Sequence, residues 1–118
     1  MTYTDVFLAA VPDDKREEYI QHAEKFCDMF QSLGALEYSE HWADDVPDGK
    51  KTDMNRAVAK KEGESVVIGW MIWTDKDARD AAWEKVEADP KMAELGASLP
   101  IDGSRMIFGG FKQIVRVA

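Results

Sequence analysis

The sequence predicts an α+β domain in the order strand, helix, strand, strand, helix, strand, and three observations carry that prediction. The chain has 118 residues, enough for one domain, and no Pro/Gly/Ser-rich linker or low-complexity run divides it. Its apolar residues keep a helical spacing in one long segment and a strand-like one in four others. Two of those strand segments are apolar at both odd and even positions, which a sheet with one wet face does not show.

The first strand is read over Tyr3–Val11, where apolar and β-branched residues dominate, and Pro12-Asp13-Asp14 stops it. Asp14 with Glu17 three residues later has capping-box character, and the acids suit the positive end of a helix dipole. Tyr19, Ala23, Phe26, Phe30 and Leu33 then form one apolar helix face, and Gly34 stands where a helix ends. Leu36 to Val46 reads as the second strand. Residues 47–64 form a polar connection with a short helical turn around Asn55–Lys60. Ser65 to Trp73 is the third strand. Thr74-Asp75-Lys76-Asp77 caps a second helix through Ala88, with Ala78, Ala82 and Val86 inward. Asp89 and Pro90 start a short further helix, as N-cap and N1, that Gly96 ends. The last strand spans Arg105–Val117, with Gly109-Gly110 as an expected bend or bulge.

This order is the ferredoxin-like βαββαβ arrangement: a four-stranded antiparallel sheet with both long helices on one face. Val66, Ile68, Trp70 and Ile72 share one parity; Val67, Met71 and Trp73 share the other. Ile107, Phe111 and Val115 likewise oppose Met106, Phe108 and Ile114. Both sheet faces therefore need cover, and two helices supply it for one. A second copy is the expected cover for the other, giving a homodimeric α/β barrel, with the 47–64 loop or a ligand as partial alternatives.

A formal net charge of −8 argues against nucleic acid and anionic membrane surfaces as partners, because phosphate binding needs a basic stripe. The N-terminal residues lack signal-peptide character, and no apolar run approaches a membrane span. One cysteine, Cys27, excludes an intramolecular disulfide framework. Together these features predict a cytoplasmic protein.

The stretch from Leu36 to Gly49 carries five acids and a histidine, where strands usually avoid carboxylates. Parity sets Glu40 beside Tyr38 and Trp42, and a carboxylate among aromatics is a candidate proton donor or acceptor. The competing reading pairs Glu40 with a buried arginine, such as Arg105 or Arg56, as structure alone. His41 lies on the opposite parity with Glu37 and Asp45, either as a histidine–carboxylate couple or as a solvated strand residue. Trp42 and Trp70 fall in neighbouring strands and can line one cavity for an aromatic or apolar ligand, or serve as core or interface.

No metal is expected. His41, Glu37, Asp44, Asp45 and Asp48 match no ligand spacing, and Asp44–Gly49 lacks the rhythm and later Glu of a calcium loop. Pro47-Asp48-Gly49 reads as a turn. Cys27 has no nearby basic run to activate it, and His22 lies five residues away. No nucleophile elbow, P-loop or dinucleotide fingerprint occurs, so no cofactor is called for.

Five blocks in order carry a resemblance: Gly34-Ala-Leu-Glu-Tyr38, Ala43-Asp-Asp-Val-Pro-Asp-Gly-Lys50, Lys61-Glu-Gly-Glu64, Ala88-Asp-Pro-Lys-Met92 and Asp102-Gly-Ser-Arg-Met-Ile-Phe-Gly-Gly-Phe111. The chain resembles the YbaA-like family of small bacterial proteins, a family of unknown function, over essentially its whole length. The resemblance implies a dimeric ferredoxin-like α/β barrel and brings no catalytic residues with it. The wider barrel group includes cofactor-free monooxygenases, heme-degrading enzymes, isomerases and ligand sensors. Heme use ordinarily needs an axial histidine, for which the chain offers only His22 and His41. The expected function is a monooxygenase-like enzyme acting on a small apolar or aromatic molecule. In it Glu40 or His41 moves a proton, Arg105 orients an anionic oxygen, and Tyr38, Trp42 and Trp70 wall the pocket. The alternatives are a non-catalytic small-molecule-binding or stress-related module, and a purely structural protein.

Overall fold

The computed structural model describes residues 1–117. Four strands, β1 (Tyr3–Pro12), β2 (Glu37–Trp42), β3 (Glu64–Trp73) and β4 (Ile107–Lys112), form one antiparallel sheet in the order β2-β3-β1-β4. Helix α1 (Arg16–Ser32) links β1 to β2. The turn α2 (Met54–Ala57) lies in the long connection to β3, and α3 (Lys76–Ala88) with α4 (Pro90–Ala97) leads to β4. This is the expected ferredoxin-like βαββαβ order.

The register assigns the faces. Tyr3, Asp5, Phe7 and Ala9 stand opposite Trp73, Met71, Gly69 and Val67, and Tyr38, Glu40 and Trp42 extend these rows on β2. This is the helix-covered face. Trp73, Met71 and Tyr3 pack there against Met29 and Phe30 of α1 and Ala82 of α3. Tyr19 and Phe30 are buried as the helical period requires, whereas Ala78, in the first turn of α3, is exposed.

The other face carries Val6, Leu8, Ile68, Trp70, Ile72, Ile107 and Phe111. Val58, from the long connection, covers only the end near Ala10 and Val66. Ile107 and Phe111 are exposed.

Several boundaries move, each for a local reason. Asp13–Lys15 form a 3-10 turn, so Asp14 lies within it and the expected capping box at α1 does not form. Asp75 and Asp89 do cap α3 and α4, accepting from the Ala78 and Lys91 amides at 2.8 and 3.0 Å. Strand β2 stops at Trp42, with one further bond from Ala43 N–H to the Val66 carbonyl. Strand β4 stops at Lys112 because its partner β1 begins at Tyr3, and the Gln113–Thr2 bond is the last between them. Gly109 and Gly110 make no bulge, since their register with Val6 and Asp5 is unbroken. Gly110 instead leaves room for Tyr3, whose ring atoms lie 2.7–2.9 Å from where a Cβ would stand.

Candidate functional site

Between the sheet and helices α1, α3 and α4 lies a cavity of about 510 Å³, within the ~300–1,000 Å³ usual for small-molecule sites. Phe7, Phe26, Phe30, Met71, Trp83 and Met92 give it an apolar body. Its floor depends on Gly69. A Cβ there would stand 2.3 Å from Phe7 Cζ and 3.1 Å from Glu40 Cγ. Only glycine therefore lets the Phe7 ring lie over β3 beside the Glu40 stem.

Glu40 is one of the cavity's polar groups. Its neighbours are phenols: Tyr19 Oη donates to Oε1 and Tyr38 Oη to Oε2. Tyr19 comes from the buried stripe of α1 and Tyr38 from two residues earlier on β2, so helix docking and strand period jointly build the trio. Burial, then the Glu40 charge, holds both phenols far above the ordinary tyrosine value. They stay protonated donors at any ordinary pH. Among the described residues no salt bridge includes Glu40. A carboxylate has about four acceptor sites, so two phenols leave it able to accept a ligand's proton.

The second polar group is Asp5, buried on β1. It accepts from Trp73 Nε1 and Trp83 Nε1 at 3.0 Å each, and from Arg79 Nη2 at 2.8 Å. Arg79, from α3, also bonds Asp80 at 3.0 Å and lies over the Tyr3 ring. Hydrogen bonding to Asp5 raises the already high Arg79 pKa, against the opposing effect of burial. A carboxylate at odd parity on a strand, followed 74 residues later by an arginine, gave no local sequence signal, so sequence reasoning missed this pair.

Glu40, Tyr19 and Tyr38 also face outward. A more open groove of about 400 Å³ between α1 and β2 shares them and adds Arg16, Cys27, His41 and Trp42. Arg16 sits 5.3 Å from the Trp42 ring centroid. The trio thus forms a partition between an inner cavity and an outer groove.

The structure brings together only part of the expected site. Glu40 and Tyr38 bond directly, and Trp42 lies on their face at the groove. Trp70 does not join them: Trp42 is opposite Val67, which puts Trp70 on the other side of the sheet. His41 is there too, stacked on Trp70 at 4.5 Å and paired with Ser39 at 2.7 Å, while Trp70 Nε1 donates to Glu37. The expected histidine–carboxylate couple is therefore absent among the described contacts, and Glu37 takes the indole instead. Arg105 is remote from Glu40. Its guanidinium is held at Glu64, the first residue of β3, five residues or roughly 17 Å along that strand from Gly69, which stands opposite Glu40. There it pairs with Glu64 at 2.7 and 2.8 Å and with Asp102 at 3.1 Å. Arg56 is likewise occupied, by Asp53 and the Gly49 carbonyl. The expected arginine partner of Glu40 is replaced by two tyrosines.

His22 lies on α1, bonded to the Glu18 carbonyl and Ser98. Among the described residues no three His, Cys, Asp or Glu side chains are grouped to hold a metal ion, and no helix is long and apolar enough to cross a membrane.

Comparison with known proteins adds three findings. The family model described as "Protein of unknown function (DUF1428)" matches residues 2–103. The uncharacterized protein YbaA of Escherichia coli K12 is 49% identical over 115 residues, covering 98% of each chain, and YbaA of Shigella flexneri matches equally. Among solved structures, a variant of SnoaB, a cofactor-independent oxygenase from Streptomyces nogalater, aligns over 98% of this chain and 96% of that one. Its TM-score is 0.63 and its identity 18%. A dimeric ferredoxin-like protein from an uncultured marine organism gives a TM-score of 0.61 at 16% identity, covering 99% and 97%. At these identities the structural likeness concerns the fold.

Proposed function

We propose that this chain, which belongs to the DUF1428 family of proteins of unknown function, is a cofactor-free oxygenase-like enzyme. Its substrate is a small apolar or aromatic molecule held between the sheet and the helices. The observation that carries this reading is Glu40, a carboxylate on the wall of an otherwise largely apolar cavity, held by two phenols and by no cation. The SnoaB fold, on which a cofactor-independent oxygenase is built, supports it by analogy.

The chemistry follows from a base in an apolar chamber. Glu40 takes a proton from an activated CH2 or phenolic O–H of the substrate. For a CH2 group, the resulting carbanion is electron-rich enough to reduce dioxygen. One oxygen atom ends in a new C=O, and the other leaves as water with the two hydrogens. Once Glu40 holds the proton, it can pass it to one phenol oxygen while that tyrosine O–H turns to another acceptor. Tyr19 and Tyr38 border the outer groove, so this transfer gives the proton a way out. Tyr38 and Trp42 keep their wall roles, Tyr38 at the cavity and Trp42 at the groove. Trp70 and Arg105 lie elsewhere and take no part, and His41, which borders the outer groove, is turned to Trp70 and Ser39.

The test is oxygen uptake with a panel of aryl ketones bearing activated CH2 groups. Wild type consumes one dioxygen per ketone product, whereas Glu40→Gln loses at least a hundredfold in rate while retaining fold and binding. Equal rates in the variant would remove Glu40 from the mechanism. Binding without uptake favours the non-catalytic module, a reading supported by the phenol that already holds each carboxylate oxygen in place.

The second copy belongs to the same proposal. The open sheet face, apolar and only partly covered by Val58, suits face-to-face packing as an α/β barrel, and a structural relative is described as dimeric. A cytoplasmic location fits a chain whose one thiol, Cys27, is free.

A further inference from the structure

The cavity has a cation as well as a base. Arg79 lines it and is the one Lys or Arg among its described lining residues. A guanidinium has five N–H donors. Arg79 spends Nε on Asp5, one Nη1 bond on Asp80 and one Nη2 bond on Asp5. One N–H on each terminal nitrogen thus has no acceptor among the described residues, and the side chain retains 23% exposure.

The Asp5 carboxylate is answered by two indoles and the guanidinium, and Asp80 adds a second carboxylate to Arg79, so what Arg79 keeps for a ligand is its two free N–H donors. The same contacts, with the Tyr3 ring beneath, fix the guanidinium plane. Asp5 and Glu40 lie on one sheet face, two strand spacings or roughly 10 Å apart across it. Glu40 repels an anion at its own end, and exposed Glu87, eight residues beyond Arg79 on α3, does so at its position, so an acidic oxygen belongs at the N–H donors of Arg79. Phe7, Phe30 and Trp83 supply flat apolar surface for the body of a ligand.

From this arrangement we infer that Arg79 anchors the substrate by an acidic oxygen, and that the substrate class is a planar aromatic carboxylate, phenol or enol. The inference rests on the cavity proposed above as the reaction site and deepens that reading, but it concerns binding and not turnover. The two free N–H groups receive the oxygen, and the reacting hydrogen faces Glu40.

The experiment is intrinsic tryptophan quenching, Trp83 being in the wall, with four naphthalene probes: 2-naphthoate, 2-naphthol, naphthalene and naphthylmethylamine. Naphthoate and naphthol are expected to bind at least tenfold more tightly than the other two, a preference set by Arg79. Arg79→Gln loses it. Because Arg79→Gln alone strands the Asp5 charge and can fail to fold, the double variant Asp5→Asn/Arg79→Gln is measured alongside, with its fold checked by circular dichroism. Equal or tighter binding of the hydrocarbon or amine, preference retained in the double variant, or no binding of any probe would overturn the anchor. Preference for the acidic probes with no oxygen uptake by any aryl ketone leaves the anchor standing and the oxygenase reading fallen. Uptake with substrates lacking an acidic oxygen does the reverse.

Discussion

Glu64 shows what an arginine-paired carboxylate looks like in this chain, a pairing that Glu40 does not have among the described residues. Two parallel hydrogen bonds from Arg105 hold the Glu64 carboxyl well below its ordinary value of 4.5, at about 2. A depressed folded-state pKa contributes stability above the unfolded value, and that contribution is lost as pH falls through the folded one. Glu64→Gln therefore lowers the melting temperature at neutral pH, and its deficit shrinks between about 4.5 and about 2. Melts followed by circular dichroism across that range check this, and a deficit independent of pH would contradict it. Glu40, in contrast, has phenols that donate without cancelling its charge. The sequence made Glu40 and Tyr38 legible because strand parity sets them side by side. Tyr19 showed only as a core position on α1, and its bond to Glu40 depends on how the helix docks. Arg105 was visible as a charge, but its partner depended on β4 lying at the far edge of the sheet.

At the scale of elements, the Glu40–Gly69–Phe7 row decides whether there is a cavity floor at all. Those residues stand side by side on β2, β3 and β1, and the middle one has no side chain. Gly69→Ala places a methyl into the Phe7 ring and against Glu40. Overpacking of this kind costs about 1–3 kcal/mol, and it displaces the base. The variant is expected to lose that much in urea denaturation and to bind aromatic probes more weakly. Unchanged stability would mean that Phe7 can move aside freely. The helix periods and the αβ order were readable because both follow from local spacing. The ends of β2 and β4 were not, since a strand stops where its neighbour does, and that is a property of the sheet. The role proposed for Trp42 with Trp70 failed for a related reason. Adjacent strands do not tell which face each residue takes until the register is fixed.

For the whole molecule, two apolar sheet faces and one helical layer leave a surface that water should not meet. Val6, Leu8, Ile68, Trp70 and Phe111 share it, with His41 stacked on Trp70 near one edge. Sedimentation at micromolar concentration should give a dimer, and Ile68→Lys, at the middle of the face, should give a monomer. A folded wild-type monomer would contradict the barrel. This expectation was legible because parity counts cover without knowing its source. The cavity, by contrast, is a volume left between helices and sheet, and no local pattern records it. Proton abstraction in that cavity can be tested apart from oxygen. The measurement is deuterium exchange at the activated CH2 of 2-tetralone, followed by proton NMR in heavy water without dioxygen. Wild type is expected to speed exchange at least tenfold over buffer, and Glu40→Gln is expected to abolish the gain. No acceleration by wild type, or the same acceleration by the variant, would show that Glu40 is not the base.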